Sequence, residues 1–300
     1  MDEPLNVDLE PRKLGDRSVT PVGLGAMWLS LTSERPSREE AVGVIHAALD
    51  LGANLIDTAD AYALDATEMG HNERLIADAL ATWSGDRSDV VVATKGGHVR
   101  DTAGGWALNG TRDYLLTSCE RSIKSLGVEQ IDVYYLHRPD PETPVGHSAA
   151  ALQALVDEGL VKYVGLSNVS VPQIRQAQAH CALAAVSNEF SPRYRASHPA
   201  IDYCQQEGLA FIAWRTLGGI NHPEERAASY SVFDEVATRH RVSPQQIALA
   251  WARAQADNVI VIPGATRTQT FTDCFHSLQV RLTEEEMSML GATPHRDVPS

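Results

Sequence analysis

An apolar, strand-like run followed by a helix-like run recurs eight times along this 300-residue chain, and few folds accommodate such a rhythm. The pattern predicts strands at Val22–Ala26, Asn54–Thr58, Asp89–Thr94, Ile131–Leu136, Lys162–Leu166, Ala184–Asn188, Ala210–Trp214 and Val259–Pro263. The helices between them are expected at Ser37–Leu51, Asn72–Trp83, Thr111–Leu126, Ser148–Glu158, Val171–His180 and Ala200–Glu207. Tyr230–Arg239 with Pro244–Ala254, and Gln269–Ser277 with Thr283–Leu290, follow the last two strands. Ser37 and Thr111 stand at N-cap positions, and Gly52, Gly127, Gly159 and Gly208 stop the helices before them. Ahead of the first unit, Pro11–Leu14 and Val19–Val22 flank Gly15-Asp16 and predict a short hairpin.

Strand, helix, strand in strict alternation implies parallel pairing through right-handed crossovers. The strands are almost continuously apolar, as they must be when both faces are covered. Eight such units in this length predict a (β/α)8 TIM barrel, an α/β fold, as one domain over residues 1–300. A doubly wound open sheet is the competitor. It would want a glycine-rich turn after the first strand, but Gly23-Leu24-Gly25-Ala26-Met27-Trp28 puts Trp28 where the third glycine belongs.

Composition narrows the partners. With 25 basic and 39 acidic residues the net charge is −14, which opposes a nucleic-acid backbone. Cys119, Cys181, Cys204 and Cys274 form no C-x-x-C pair and no zinc-like spacing with His, so no metal site is expected. The acidic opening from Met1 to Glu10 lacks an apolar signal region, and no run approaches the roughly 18 apolar residues of a membrane span. The cytoplasm is the expected compartment, and the sequence leaves the oligomeric state open.

In a parallel barrel the reactive side chains stand at the C-terminal strand ends. Long connections follow the third strand (96–110), the fourth (138–147) and the seventh (215–229), and would roof one pocket there. Asp57, Lys95 and His137 end three adjacent strands, with Tyr62 five residues beyond Asp57. A tyrosine is a poor acid at neutral pH, but an ammonium beside it stabilises its phenolate. A carboxylate would hold that ammonium charged, and a histidine could hydrogen-bond a carbonyl oxygen. Taken singly, such a Lys could be snorkelling, such a His structural, and such an Asp a helix cap. Together on neighbouring strands they describe a proton-donating site for a substrate that gains negative charge on oxygen.

These residues resemble the aldo-keto reductase family. The segments that carry the likeness are Leu55-Ile56-Asp57-Thr58-Ala59 with Tyr62, Ala93-Thr94-Lys95, Asp132-Val133-Tyr134-Tyr135-Leu136-His137, Val164-Gly165-Leu166-Ser167-Asn168 and Val261-Ile262-Pro263-Gly264. It extends from about Arg12 to about Leu290. The resemblance implies a nicotinamide-dependent carbonyl reductase with the tetrad Asp57, Tyr62, Lys95 and His137, Tyr62 giving the proton. It also implies Ser167 and Asn168 on the nicotinamide carboxamide, Trp214 stacked on the ring, and Arg215, Leu217 and Gly219 over the pyrophosphate. Gly264 and Arg267 would hold the far phosphate, Arg267 selecting NADPH in preference to NADH, and Asp273 would contact the adenine. Without the family, Ser167 is equally a helix cap, Trp214 core packing and Arg267 a solvated side chain.

The chain departs from the family pattern in four places. Ser187 stands where a Gln is usual, Arg215-Thr216-Leu217-Gly218 replaces Ser-Pro-Leu-Gly, Thr270 stands where some members have an arginine, and Cys274 where an Asn is common. Met27, Trp28, His98, Trp106 and Arg138 are the candidate pocket lining, suited to a flat or apolar carbonyl with polar groups at its edge. A broad or biosynthetic ketoreductase of secondary metabolism is the expected activity. Two other readings compete. One is a nucleotide-sensing regulatory subunit resembling potassium-channel β-subunits, with little turnover. The other is a barrel lyase with Lys95 as a Schiff base, which a protonated Lys95 disfavours.

Overall fold

A computed structural model describes residues 10–297. The opening segment 1–9, where no signal peptide is expected, lies outside the described residues. Eight parallel strands wind in chain order: β1 (Leu24–Gly25), β2 (Leu55–Asp57), β3 (Val91–Gly96), β4 (Ile131–Leu136), β5 (Val161–Ser167), β6 (Leu183–Glu189), β7 (Ala210–Trp214) and β8 (Val259–Val261). The seam between first and last closes through single bridges, Val22 with Val261 and Gly25 with Gly264. Gly23 N–H donates to the Val261 carbonyl (2.9 Å) and Gly25 N–H to that of Pro263 (3.1 Å). A Cβ at residue 25 would lie 2.6 Å from the Ile262 carbonyl oxygen, so this glycine serves barrel closure. β8 stops earlier than its apolar run, because Pro263 has no N–H to extend the ladder.

The helices that matter to the site are α1 (Arg38–Asp50), α2 (His71–Thr82), α3 (Arg112–Leu126) and α4 (Val145–Asp157), followed by α5 (Val171–Gln178) and α6 (His198–Gln206). Beyond β7 come α7 (Pro223–Ser229), α8 (Ser231–His240) and α9 (Pro244–Arg253), and beyond β8 α10 (Thr268–Phe275) and α11 (Glu284–Gly291). Ser37 caps α1 in a capping box with Glu40. Thr111 holds the N-cap position of α3, but its hydroxyl donates to Asn109 Oδ1 instead. Gly127 ends α3 with φ +66°, a conformation open to glycine at little cost.

Period-2 alternation sorts the strand residues into two cores. Val91 and Ala93 of β3, Val133 and Tyr135 of β4, and Ala210 and Ile212 of β7 fill the barrel interior. Val164, Leu166 and Phe211 face outward, into the layer between sheet and helices. A hairpin of Arg12–Leu14 and Arg17–Val19, turning at Gly15-Asp16 as expected, puts Leu14 and Val19 into the interior cluster and plugs one end.

A second hairpin, His98–Arg100 with Trp106–Leu108, occupies the long connection after β3 and is absent from the sequence reading. α7 likewise forms inside the connection after β7. Among the described residues, no helix is long and apolar enough to cross a membrane.

Candidate active site

Continuing each interior row by one step of two residues reaches the barrel mouth. Val91–Ala93 leads to Lys95, Val133–Tyr135 to His137, Leu55 to Asp57, Ala185 to Ser187, and Ala210–Ile212 to Trp214. The pleat that packs the core therefore places six of the expected residues, Ser167 included, in one ring. Hydrogen bonds beyond the strand ends hold this rim: Thr58 N–H to the Ala93 carbonyl and His137 N–H to the Gly96 carbonyl, both 2.8 Å.

Lys95 is the centre. Its Nζ forms an ion pair with Asp57 Oδ1, donates to the Thr58 carbonyl at 2.8 Å and reaches Tyr62 Oη at 3.4 Å. An ammonium has three protons, and all three are directed. Asp57 and Lys95 are 3% and 2% exposed, against 8% for Tyr62 and for His137, so the latter two lie slightly nearer the open mouth.

The electrostatics follow from burial. Burial works against the Lys95 charge, but the Asp57 carboxylate and the Tyr62 oxygen outweigh it and hold Lys95 above the ordinary ammonium range. A protonated, ion-paired lysine is a poor Schiff-base nucleophile. Tyr62 is raised above its ordinary value: burial dominates, and Lys95, pulling downward as expected, only partly offsets it. The phenol is thus a neutral donor at physiological pH. Burial, then the charges of Lys95, His98 and Arg138, push His137 well below its usual range, so its imidazole is neutral and can hydrogen-bond without adding charge.

His137 meets Tyr62 edge-on at 5.6 Å between ring centroids and His98 at 4.7 Å; His98 lies 4.4 Å from Trp106. Burial, with Arg138 and Arg100, lowers His98 to about 4. The second hairpin is therefore a wall of the mouth. It is pinned to the Tyr62 segment by Arg100, which donates to the Leu64 carbonyl and stacks on Trp106, and by Ala66 N–H, which donates to the Asp101 carbonyl. Trp28 and Trp106 are each 45% exposed, large apolar surface left open at the mouth. Met27 is half-buried, and Trp28 packs against Gly264 across the barrel seam.

The opposite side of the rim is made differently. Asn168 adopts φ +61° and Arg215 φ +54°, both unusual for residues with a Cβ and both immediately past a strand end. Asn168 donates to the His137 carbonyl and to Ser167 Oγ (both 3.0 Å) and accepts from Arg138 at 3.1 Å, which ties this side to the tetrad. Arg215 faces Glu189 at 3.7 Å. Among the described residues Ser187 Oγ and Thr216 Oγ1 are buried with no hydrogen-bond partner, while Trp214 Nε1 donates to the Ser187 carbonyl at 3.3 Å. Leu217 is half-buried, and Gly219, at φ +87°, lies where a Cβ would strike the Tyr230 ring. The Gly264 turn leads to Arg267, exposed at the N-cap of α10. Both oxygens of Asp273 are engaged with the start of α9, by Ser243 (2.7 Å) and Gln246 (2.8 Å). Orphaned hydroxyls beside an aromatic, a glycine-lined loop and an exposed arginine form a donor set that fits an extended dinucleotide. Among the described residues, no group of three or more His, Cys, Asp or Glu could hold a metal ion.

Sequence reasoning missed Asn72 and Asp60. Asn72, fully buried on α2, accepts from Thr58 Oγ1 and donates to the Ala26 carbonyl and Ser30 Oγ, joining the β1 and β2 ends. Asp60, in the Tyr62 turn, accepts from Ser118 of α3. The available signal was a carboxylate inside the apolar frame Ala59-Asp60-Ala61.

The model of the Aldo/keto reductase family matches residues 21–293. A probable aldo-keto reductase of Glycine max is 31% identical, covering 97% of this chain and 90% of its own. An aldo-keto reductase of Schizosaccharomyces pombe, named for NADP(+), is 28% identical over 93% of this chain and 89% of its own. The solved glycerol dehydrogenase of Gluconobacter oxydans superposes with a TM-score of 0.84, at 25% identity over 94% of each chain. The chain belongs to the aldo/keto reductase family and is an NAD(P)H-dependent oxidoreductase.

Proposed function

We propose that this chain is an NADPH-dependent reductase of aldehydes or ketones, a single barrel domain in which Tyr62 delivers the proton to the carbonyl oxygen. The observation that carries it is the Lys95 ammonium, buried and shared between Asp57 and Tyr62. When bound, NADPH supplies the hydride. Ser167, Asn168, Ser187 and Trp214 would hold its nicotinamide end, Arg215, Leu217 and Gly219 its pyrophosphate, and Gly264, Arg267 and Asp273 its adenosine end. The NADP(+) in the name of the fission-yeast relative supports that choice over NADH.

The neutral His137 imidazole and the Tyr62 hydroxyl hydrogen-bond the carbonyl oxygen from two sides and orient it. As negative charge grows there, Tyr62 Oη gives up its proton and the phenolate left behind is stabilised by Lys95, whose own charge Asp57 maintains. Met27, Trp28, His98, Trp106 and Arg138 would select the substrate. Two broad aromatic faces and a neutral imidazole suit a flat or apolar carbonyl, as in a broad or biosynthetic ketoreductase.

The test is Tyr62→Phe. Turnover of a carbonyl panel with NADPH should fall by about 10²–10⁴-fold, the usual worth of a general acid. NADPH binding, followed by quenching of protein fluorescence, should persist. A Tyr62→Phe enzyme with wild-type turnover would remove the proton donor from this scheme. Tight NADPH binding by the wild-type protein without oxidation by any carbonyl would favour a nucleotide sensor instead.

A further inference from the structure

Behind the mouth lies a second set of ionisable groups that the tetrad does not use. Asp60 is 2% exposed and Glu73, on α2, is fully buried. Asp60 precedes Tyr62 by two residues, and each of its polar groups reaches a different element. Its N–H donates to the Lys95 carbonyl of β3 (3.2 Å), and its carbonyl accepts from Gly70 at the start of α2 (2.7 Å). Its Oδ2 accepts from Ser118 Oγ of α3 at 2.5 Å, with Arg121 of the same helix 3.9 Å away. Oδ1 is buried and has no hydrogen-bond partner among the described residues. One residue thus fastens the Tyr62 turn to two helices and to the strand that carries Lys95.

We propose that Asp60 is a positioning residue for Tyr62, its carboxyl clamping the turn to α3 and its ionisation acting through space on the Tyr62 phenol. The inference rests on Tyr62 being the proton donor. The groups facing Asp60 come from every neighbouring element: the Lys95 carbonyl from β3, Glu73 from α2, Tyr114, Ser118 and Arg121 from α3, and Tyr134 from β4. Tyr62, two residues along the same turn, is raised first by burial, against the pull of Lys95, then by Asp57, and to a smaller extent by the Asp60 charge. Burial, then the Glu73 carboxylate, pushes Asp60 up to about 8, against Ser118 and Arg121, which pull it down. Asp60 is therefore neutral at physiological pH. As pH rises through that value it becomes an anion beside a phenol that must itself become an anion to release its proton. The second charge disfavours the first, and Tyr62 becomes a weaker acid.

The rate to measure is hydride transfer in a single turnover, followed by nicotinamide absorbance from neutral to alkaline pH. The wild-type rate should step down near pH 8. Asp60→Asn keeps an oxygen for Ser118 but cannot ionise, and should abolish the step. Arg121→Gln, a half-exposed position outside the active site, should move the step to higher pH, and serves if Asp60→Asn does not fold. A second readout needs no turnover. The tyrosinate absorbance of Tyr62, isolated by subtracting the Tyr62→Phe protein, should appear at lower pH in Asp60→Asn than in wild type. A purely structural Asp60 would lower the rate equally at every pH. A wild-type profile without the step, a step that survives in Asp60→Asn or stays in place in Arg121→Gln, or an unmoved Tyr62 titration would overturn the proposal. A Tyr62→Phe protein that transfers hydride at the wild-type rate would instead overturn the reading beneath it.

Discussion

The two halves of the barrel mouth are built on opposite plans. On the β2–β4 side the candidate groups end a strand, directly follow one or lie in a buried turn, and Asp57, Lys95, Tyr62 and His137 are each at most 8% exposed. On the β5–β8 side Ser167, Ser187 and Trp214 also belong to strands, but the other candidate groups lie in loops past them, with Asn168 and Arg215 in the left-handed region and Arg215 and Arg267 exposed. The first half is buried because the core continues into it. Both halves keep buried polar atoms without a partner among the described residues, and the second adds strained backbone, features a fold tolerates where a ligand completes them. The buried half suits chemistry that requires fixed geometry, and the loops suit a surface that would admit and release a large anion.

Cutting the buried half at its centre gives the largest effect. Lys95→Met leaves Asp57 buried without its cation, where burial already raises its pKa. Breaking a buried ion pair costs about 3–5 kcal/mol, which a denaturant titration would read, and carbonyl reduction should be lost with it. Adding Asp57→Leu should recover much of the stability and none of the activity. A Lys95→Met protein as stable as wild type would show that the rim is not held by this pair, and the contrast between the halves would lose its basis.

That contrast also explains what could be read from the sequence. The eight strands follow from apolar runs whose period-2 rows need no tertiary information, and the observed β4 has the bounds its pattern predicts. The tetrad was legible for the same reason: three members stand in register with core residues. The hairpin at His98–Leu108 was not, because its strands are three residues each and it is held by long-range bonds, Arg100 to the Leu64 carbonyl and Ala66 to that of Asp101. α4 starts at Val145, ahead of the expected Ser148, with Pro144 at the N-cap and its carbonyl accepting from His147 N–H at 2.8 Å. The clasp at Asp60 was hidden by its short spacing from Tyr62, where sequence cannot say whether a carboxylate faces water or α3. On the loop side, Asp273 was assigned to a ligand although both its oxygens also anchor α9, a competition no spacing reveals.

A smaller effect probes the loop side where it touches the interior. Trp214 is half-buried and ends β7. Trp214→Ala should change stability less than Lys95→Met does, while NADPH affinity falls by roughly tenfold, an aromatic stacking contact being worth about 0.5–1.5 kcal/mol beyond its buried area. The fluorescence quench on binding should shrink with it. Unchanged affinity and an unchanged quench would mean that Trp214 only packs the mouth, and the two halves would then differ less than their backbones suggest.

The smallest effect lies furthest from the core. Arg267 is exposed at the N-cap of α10, with no carboxylate holding it among the described salt bridges. If it meets the 2′-phosphate, Arg267→Ala should weaken NADPH several-fold and leave NADH unchanged, since an exposed ion pair contributes up to about 1 kcal/mol. The preference should also shrink as salt is added to the wild-type protein, because the interaction is open to screening. The pair of nucleotides makes the result decisive. Equal weakening of both would assign Arg267 to a phosphate they share or to the α10 start, and no change in either would make it a solvated arginine. In both of those cases the NADPH preference would have to arise elsewhere at the mouth, where Arg215 and Arg138 are further exposed cations.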